Sequence, residues 1–497
     1  MKVFTKCLAL AEALLLLSPL FLSCSEDTSA DEQKGNEDQG LLNVETDTAA
    51  PEETADPRLA PGLEIIDQEG TTFHIYGNPW NDGEDWWVHD MLAEEMDGTP
   101  INDAIFERNL FLDETYNFTI ELNTGTNMQQ EIAQLVTAGD QTYDVFGASA
   151  ENSMASAQNG YYYNLNSLDS IDLSNPWWDH SLNDPLTIEN RAFVATGDIT
   201  VVPKEGVRVF FFNKTLREML QLESPYDLVN EGTWTMDKMF SMMQGAERDL
   251  NGDGKIDDND RYAFQGSGDF PMIFYIGSGE SLISKDENDV MYFSAETERS
   301  LTVLERITEL IAQTKDICLR TWAWQGMLEK FNNDQALFYT DAALHIETMR
   351  SYDVDFGVLP TPKFDEQQEN YINYIDDFCN IFYAIPVSSG DPENTAYLLE
   401  IISAASQHYL TPAYYDVCLK TKYSRDVESS AMLDIIFDTY RVELGKIYGI
   451  AFESQVTDMM GSGTNYFSSL FAAHRKAVPK QLTKIHEAYR KTEAFDY

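Results

Sequence analysis

The densest run of chemistry-bearing residues is Asp249-Leu250-Asn251-Gly252-Asp253-Gly254-Lys255-Ile256-Asp257-Asp258-Asn259-Asp260. Oxygen-bearing side chains stand at the first, third, fifth, ninth and twelfth positions of this stretch, with glycine sixth and isoleucine eighth. That spacing matches an EF-hand loop. A hard cation such as calcium takes about six to eight oxygen ligands. The sixth-position glycine permits the sharp turn, and the seventh residue offers its backbone carbonyl. Asp249, Asn251, Asp253, Lys255, Asp257 and Asp260 are therefore the expected calcium ligands. The last position is aspartate where glutamate is usual; its shorter arm reaches the ion with one oxygen or holds it more weakly. The expected role is structural, because an ion there neutralises packed carboxylates and stabilises the folded chain by mass action. An acidic turn without metal is the alternative.

Other chemistry is thinly represented. Seven histidines are scattered, and no HExxH, GxSxG, phosphate-loop or GxGxxG pattern stands in a useful context. Carboxylates are numerous enough that a glycosidase-type pair remains an alternative, but the chain is expected to bind rather than to catalyse. With 84 acidic residues against 33 basic ones the formal net charge is −51. Such a surface repels phosphate backbones, which excludes nucleic acid as a partner, and it opposes docking on anionic lipid. The composition is 43% hydrophobic and 12% aromatic, so a folded core is expected, and 497 residues suggest more than one domain.

The start of the chain reads as an export signal. Lys2 and Lys6 precede an apolar stretch broken by Glu12 and Pro19, and Leu20-Phe21-Leu22-Ser23-Cys24 resembles a bacterial lipobox. Residues 1–23 are thus expected to be removed, Cys24 to be lipidated, and the protein to be tethered on the extracytoplasmic face of the cell membrane, with no other membrane contact. Residues 24–61 read as an acidic flexible linker; between 25 and 57 there are eleven acids and one lysine. Of the remaining cysteines, Cys318, Cys379 and Cys418 lack metal spacing and cannot all pair, so free thiols are expected.

The body alternates strand and helix. Strands are expected at Thr72–Gly77, Phe118–Asn123 and Tyr143–Ala148, with a helix capped by Asn102 and another at Met128–Ala138 between them. This order calls for a mainly parallel sheet with ligands at its carboxyl ends. Val207–Phe212 is apolar but for Arg208, and is expected to be a doubly buried strand. A helix at Ser300–Lys315, strands at Ala336–Thr340 and Asp355–Leu359, an N-cap at Asp391-Pro392 and a helical end from Tyr409 follow.

Several segments, in order, resemble bacterial extracellular solute-binding proteins of the sugar-transporter kind, related to maltodextrin-binding protein. They are Asn102–Asn109 before Tyr116-Asn117-Phe118, Tyr143–Gly147 with Gly160 and Leu165-Asn166, Pro176-Trp177-Trp178-Asp179, Ala195–Asp198, Phe210–Lys214, Thr233–Asp237, Phe331–Thr340, Phe356–Pro362 and Thr411–Tyr415. The resemblance spans about residues 70 to 460. It implies an α/β, two-lobed periplasmic-binding-protein-like (type II) fold with a hinge and a helical C-terminal region. One lobe would comprise 62–205 plus 372–410, the other 206–371 plus 411–497, with crossings near Val202–Gly206, Tyr371–Phe382 and Ser406–Thr411.

It also implies a ligand held between the lobes, most simply a mono- or oligosaccharide delivered to the transmembrane subunits of an ABC importer by a monomeric receptor. Sugars present C–H faces and hydroxyl rings, which aromatic platforms, carboxylates and amides satisfy. The matching positions are Trp80, Asn81, Asp82, Trp86 and Trp87 after the first strand, Ser149 and Glu151 after the third, and Asp269 and Phe270 in the second lobe. Trp322, Trp324, Asp341, Tyr414 and Tyr415 complete the set. Core or helix packing is the alternative for each aromatic residue. Ala343 stands where maltodextrin-binding protein carries a ligand tryptophan, so the pocket must differ. A SusD-like glycan-capture lipoprotein, which would be almost all helix, and a secreted carbohydrate-active enzyme are the competing functions.

Overall fold

The computed structural model describes residues 56, 58–59, 62–77, 89–376, 380–416 and 426–492. A first sheet has the strand order Phe382–Ala384, Val145–Ala148, Thr71–Gly77, Phe118–Thr124. The last three strands are parallel, with Thr71 opposite Phe118 and Ile75 opposite Val145, and only Phe382–Ala384 runs the other way. Parallel neighbours need a helical crossover, which Pro100–Tyr116 and Met128–Ala138 supply. The first of these starts three residues earlier than the sequence suggests. Pro100 fits its first turn because no N–H is needed there, Thr99 is the capping residue, and Asn102 lies inside the helix with its amide on Glu95 O at 2.7 Å. It ends at Asn117, whose φ of 58° is the left-handed cap geometry.

The second sheet runs Phe356–Leu359, Arg208–Asn213, Ala336–Ala342, Tyr262–Gly266, Cys318–Arg320. Arg208–Asn213 is antiparallel to both neighbours and the last three strands are parallel. Its two central strands, Arg208–Asn213 and Ala336–Ala342, are buried at every position, as apolar runs covered on both faces must be. The chain leaves the first sheet through the short helix Val202–Glu205 and returns to it after Asn373–Tyr374. Helix Pro392–Pro412, capped by Asp391, then packs on Pro100–Tyr116, while Val427–Asp438 packs on Phe356–Leu359 of the second sheet. Among the described residues no helix is long and apolar enough to cross a membrane. Cys318 is free, and Cys379, Cys418, Cys24 and the segment before it lie outside the described residues.

Two buried groups fix these passages. The Arg108 guanidinium, fully buried, donates to Met91 O at 2.9 Å, Asp90 O at 3.3 Å and Ser406 Oγ at 3.1 Å. Burial lowers its pKa to about 10, opposed by the Asp90 carboxylate. The Glu443 carboxylate accepts the backbone N–H groups of Leu282, Ile283 and Gly445 at 3.0–3.1 Å, pinning the hairpin Ile283–Lys285/Met291–Phe293 to the C-terminal segment. Burial nevertheless raises the pKa of this acid from 4.5 to about 7, the three N–H donors offsetting only part of the desolvation. A carboxyl whose folded pKa lies above its unfolded one binds its proton more tightly when folded. Its contribution to stability is therefore complete below about pH 4.5 and is lost as pH rises through 7. Between pH 4.5 and 8 the wild type is expected to lose up to about 3 kcal/mol more stability than Glu443→Gln, read from urea midpoints; parallel pH profiles for the two proteins would refute this.

Candidate functional site

The three parallel strands of the second sheet end at one edge, which carries Ser267 to Asp269 after Gly266, Trp322 after Arg320, and Asp341. The antiparallel strand brings its first residue to the same edge, Arg208 standing opposite Ala342. A backbone bridge between Val207 and Ile375 lays the return passage alongside, so that Asp376 also arrives there. These four side chains form one buried cluster. Arg208 Nη1 lies 3.0 Å from Asp341 Oδ1, and Nη2 lies 2.7 Å from Asp376 Oδ2 and 3.6 Å from Asp269 Oδ2. None of the four side chains is more than 11% exposed.

Neighbours complete the arrangement. The Tyr339 hydroxyl donates to Asp341 and the Ser267 hydroxyl to Asp269. His345 Nε2 is 3.7 Å from Asp341 Oδ1, and burial pushes its pKa down against the pull of that carboxylate. Burial pushes Asp269 up; Arg208 opposes this and the like charge of Asp376 adds to it. Glu453 is raised by burial and, more weakly, by Asp269 and Asp376, while Lys446 and the Thr457 hydroxyl hold it down. The first sheet reaches the cluster through one amide. Asn380 Oδ1 accepts from Ala150 N at 3.0 Å and its Nδ2 donates to Asp376 O at 2.9 Å. Ala150 opens the helix Ala150–Gln158 that follows strand Val145–Ala148, with Ser149 at the N-cap.

Of the residues expected to meet a ligand, the structure brings Asp269 and Asp341 together on Arg208 and puts Trp322 beside them. Trp322 is 69% exposed, and its ring lies so close to Gly268 that a Cβ there would come within 2.1 Å of it. Ser149 is buried next to the Asn380 link and Glu151 faces solvent. Phe270 belongs to the apolar core, edge-on to Phe264 at 5.0 Å. Tyr414 is also buried in the apolar core, and Tyr415 donates to Asp434 and packs on Phe437. Trp80, Asn81, Asp82, Trp86 and Trp87 lie outside the described residues, as does the side chain of Trp324. Sequence reasoning missed Arg208, Asp376, His345 and Asn380. The signal for Arg208 was present, since a charged residue heads the apolar run Val209–Phe212.

The acidic loop closes on itself. Arg248 and Arg261 exchange both backbone hydrogen bonds at 3.0 Å, which joins its ends. Gly252 and Gly254 take φ values of 80° and 84° that strain other residues. Carboxylate oxygens of Asp249, Asp253 and Asp260 come within 4.8 Å of one another. Asp260 is buried and accepts from Leu250 N at 2.8 Å and Asp257 N at 3.0 Å, which holds its pKa below the usual range. These three carboxylates have the spacing and hard-oxygen chemistry to hold a divalent cation. The loop feeds directly into strand Tyr262–Gly266, whose far end carries Ser267 and Asp269.

No protein-family model matches the chain, and no curated protein matches it in sequence. Solved structures match its fold. The cyclic α-maltosyl-1,6-maltose binding protein from Arthrobacter globiformis gives a TM-score of 0.54 at 13% identity, covering 85% of this chain and 98% of that one. The GacH receptor of Streptomyces glaucescens, solved unliganded and with acarbose, gives 0.51 at 11%, covering 86% and 99%. A sugar transporter from Rhizobium etli in an open conformation gives 0.52 at 12%, covering 84% and 99%. The chain thus has the two-lobed α/β fold of periplasmic binding proteins, as the ordered segments imply.

Replacing Arg208 by methionine strands three buried carboxylates. The expected cost is about 3–5 kcal/mol in urea unfolding at neutral pH, because a broken buried pair leaves uncompensated charge. The deficit should shrink below about pH 4, where carboxylates take up protons. A deficit independent of pH would show that Arg208 acts by packing alone.

Proposed function

We propose that this chain is a lipid-anchored extracellular solute-binding protein that captures a mono- or oligosaccharide between its two lobes and passes it to an ABC importer. The observation that supports this most is the fold match, which covers nearly the whole length of neighbours described as sugar-binding and transport proteins. The geometry agrees with it. Strand ends from both sheets and the return passage converge on one edge, where ligands bind in open α/β sheets. That edge offers hydrogen-bonding carboxylates and an exposed indole, the pairing a sugar ring requires. The mixed sheets speak against the almost all-helical glycan-capture alternative. The lipobox ending at Cys24 supports anchoring, and the acidic segment after it supports a spacer between bilayer and body.

Calorimetry against mono- and oligosaccharides tests the reading. A sugar that binds and raises the melting temperature, with Trp322→Ala weakening it at least tenfold, is the expected result. Binding of peptides or polyamines and of no sugar would overturn the carbohydrate assignment while leaving transport standing.

The loop from Asp249 to Asp260 is proposed to hold a structural calcium ion, with Asp249, Asp253 and Asp260 as its carboxylate ligands and Asn251, Lys255 O and Asp257 completing the shell. The ion supplies charge neutralisation and a closed loop ahead of strand Tyr262–Gly266. At a calcium concentration a hundredfold above Kd it stabilises the fold by about 3 kcal/mol. Chelator should lower the melting temperature and added calcium restore it. Unchanged melting, with no calcium released on elemental analysis, would remove the ion from this reading.

A further inference from the structure

The C-terminal helix Ala477–Thr492 reverses the charge of the rest of the molecule. Six of the chain's 33 lysines and arginines, Arg475, Lys476, Lys480, Lys484, Arg490 and Lys491, fall within its span and the two residues before it, and Glu487 is the only acid among them. All six are exposed. At about 100° per residue, Lys480, Lys484 and Lys491 fall within an arc of roughly 40° on the helix, with Glu487 about 20° to one side, and Lys476 lies in the turn just before it. Val478, Leu482, Ile485 and Tyr489 lie on the opposite side and are buried. None of these four lysines pairs with an acid among the described residues, although the chain carries 84. Beside this face runs an open groove of about 490 Å³ between the helix and the hairpin, where Val290 and Tyr292 are exposed at 36% and 47% next to Arg475 (paired with Glu296), Arg490 (paired with Glu189) and Glu487.

We propose that this lysine face and the Tyr292 groove form a docking surface for an anionic lipid bilayer, which sets the orientation of the body above the membrane. Charge complementarity carries the choice of occupant. Unpaired lysines on one arc meet a flat negative surface together, and a half-exposed tyrosine suits the headgroup layer, where an apolar ring and a polar tip are both accommodated. The net charge does not cancel this. At physiological ionic strength, charges beyond about 8 Å are largely screened, so the nearest face decides the contact. The proposal rests on the lipid-anchored reading only for proximity: a tether raises the local concentration of the face at the bilayer, while at low salt, where screening is weak, the face binds without it.

The test uses mature-length chain, residues 24–497, with Cys24→Ser so that no acyl group contributes. It is sedimented with phosphatidylglycerol–phosphatidylcholine vesicles and with pure phosphatidylcholine vesicles at low and high salt. Expected are binding to the anionic vesicles only, loss of that binding at high salt, and a roughly 100-fold weaker partition for K480Q/K484Q/K491Q, at about fivefold per lysine. The triple variant should keep its melting temperature, since these side chains are exposed. Absence of binding to anionic vesicles at low salt overturns the proposal. So does binding that the triple variant leaves unchanged, and so does binding to soluble polyphosphate without binding to vesicles. Sugar calorimetry on the same samples separates the two readings: vesicle binding without sugar binding removes the carbohydrate assignment and leaves the surface.

Discussion

Arg208 is one guanidinium set among three carboxylates in a place that water barely reaches. A charge taken out of water is tolerated only when paired and hydrogen-bonded. Here the pairing partners come from three separate stretches of chain. Asp341 ends a parallel strand, Asp269 follows another, and Asp376 sits on the passage back to the first sheet. Satisfying the cation therefore forces the two strand ends and the return passage to meet. Asp376 in turn presents its carbonyl to Asn380, which accepts the amide of Ala150 and brings in the first sheet. Asp269 and Asp341 are placed by that contact, and Ser149 lies beside the Asn380 link that it supports.

The same solution recurs where the fold needs two distant segments held at a fixed separation. Arg108 gathers carbonyls from the loop at Asp90-Met91 and the hydroxyl of Ser406. Glu443 gathers three backbone N–H groups. Glu400 accepts both indole N–H groups of Trp177 and Trp178, at 3.1 and 2.9 Å, and the amide of Asn175 at 2.6 Å, locking the Pro176–Asp179 turn onto helix Pro392–Pro412. Burial raises the pKa of both acids, whose hydrogen bonds only partly offset it. Each such group costs desolvation and returns position, because a buried acceptor accepts only the donors aimed at it.

The succession of the early strands and helices along the chain was legible because periodicity and apolar runs report burial locally. Met128–Ala138 matches the expected helix residue for residue, and the run 207–212, apolar but for Arg208, became a strand buried throughout, shifted by one residue. The helix at 100–116 was mis-capped because Asn102 has the right chemistry for a cap, while Pro100 has the stronger constraint. The acidic loop was legible because its ligands are contiguous in sequence. The buried cluster was half legible. Asp269 and Asp341 were found by position after strands, but Arg208 and Asp376 are 168 residues apart and meet only through the Val207–Ile375 bridge. Phe270 and Tyr414 show the converse limit: an aromatic residue at a ligand position looks the same in sequence whether it faces a cleft or the core.

The C-terminal segment bears on how two such lobes can move. Phe452–Gly461 packs on Phe270–Gly277 and Glu298–Thr314, helices between strands of the second sheet. Leu444–Ile447 and Ala477–Thr492 pack both on Ala150–Gln158, which follows a strand of the first sheet, and on the hairpin Ile283–Lys285/Met291–Phe293. The hydroxyls of Tyr448 and Tyr489 meet each other at 2.8 Å and both approach Met154 Sδ, Phe193 stacks edge-on against Tyr489 at 5.0 Å, and Glu189 is held by His486 at 2.9 Å and by Arg490. Tyr440 reaches Asp179, and the Lys285 ammonium caps the carbonyls of Asp184 and Thr187. A wide rotation about the passages would unpack one side of this segment, and exposing side chains of this size costs about 1.5–3 kcal/mol each. A displacement that slides packed helices by a fraction of a turn keeps most of that burial. Close-packed interiors do not deform continuously, so an opening of the edge around Arg208 that moved Ala150–Gln158 away from Phe270–Gly277 would require the segment after residue 440, packed on both, to repack.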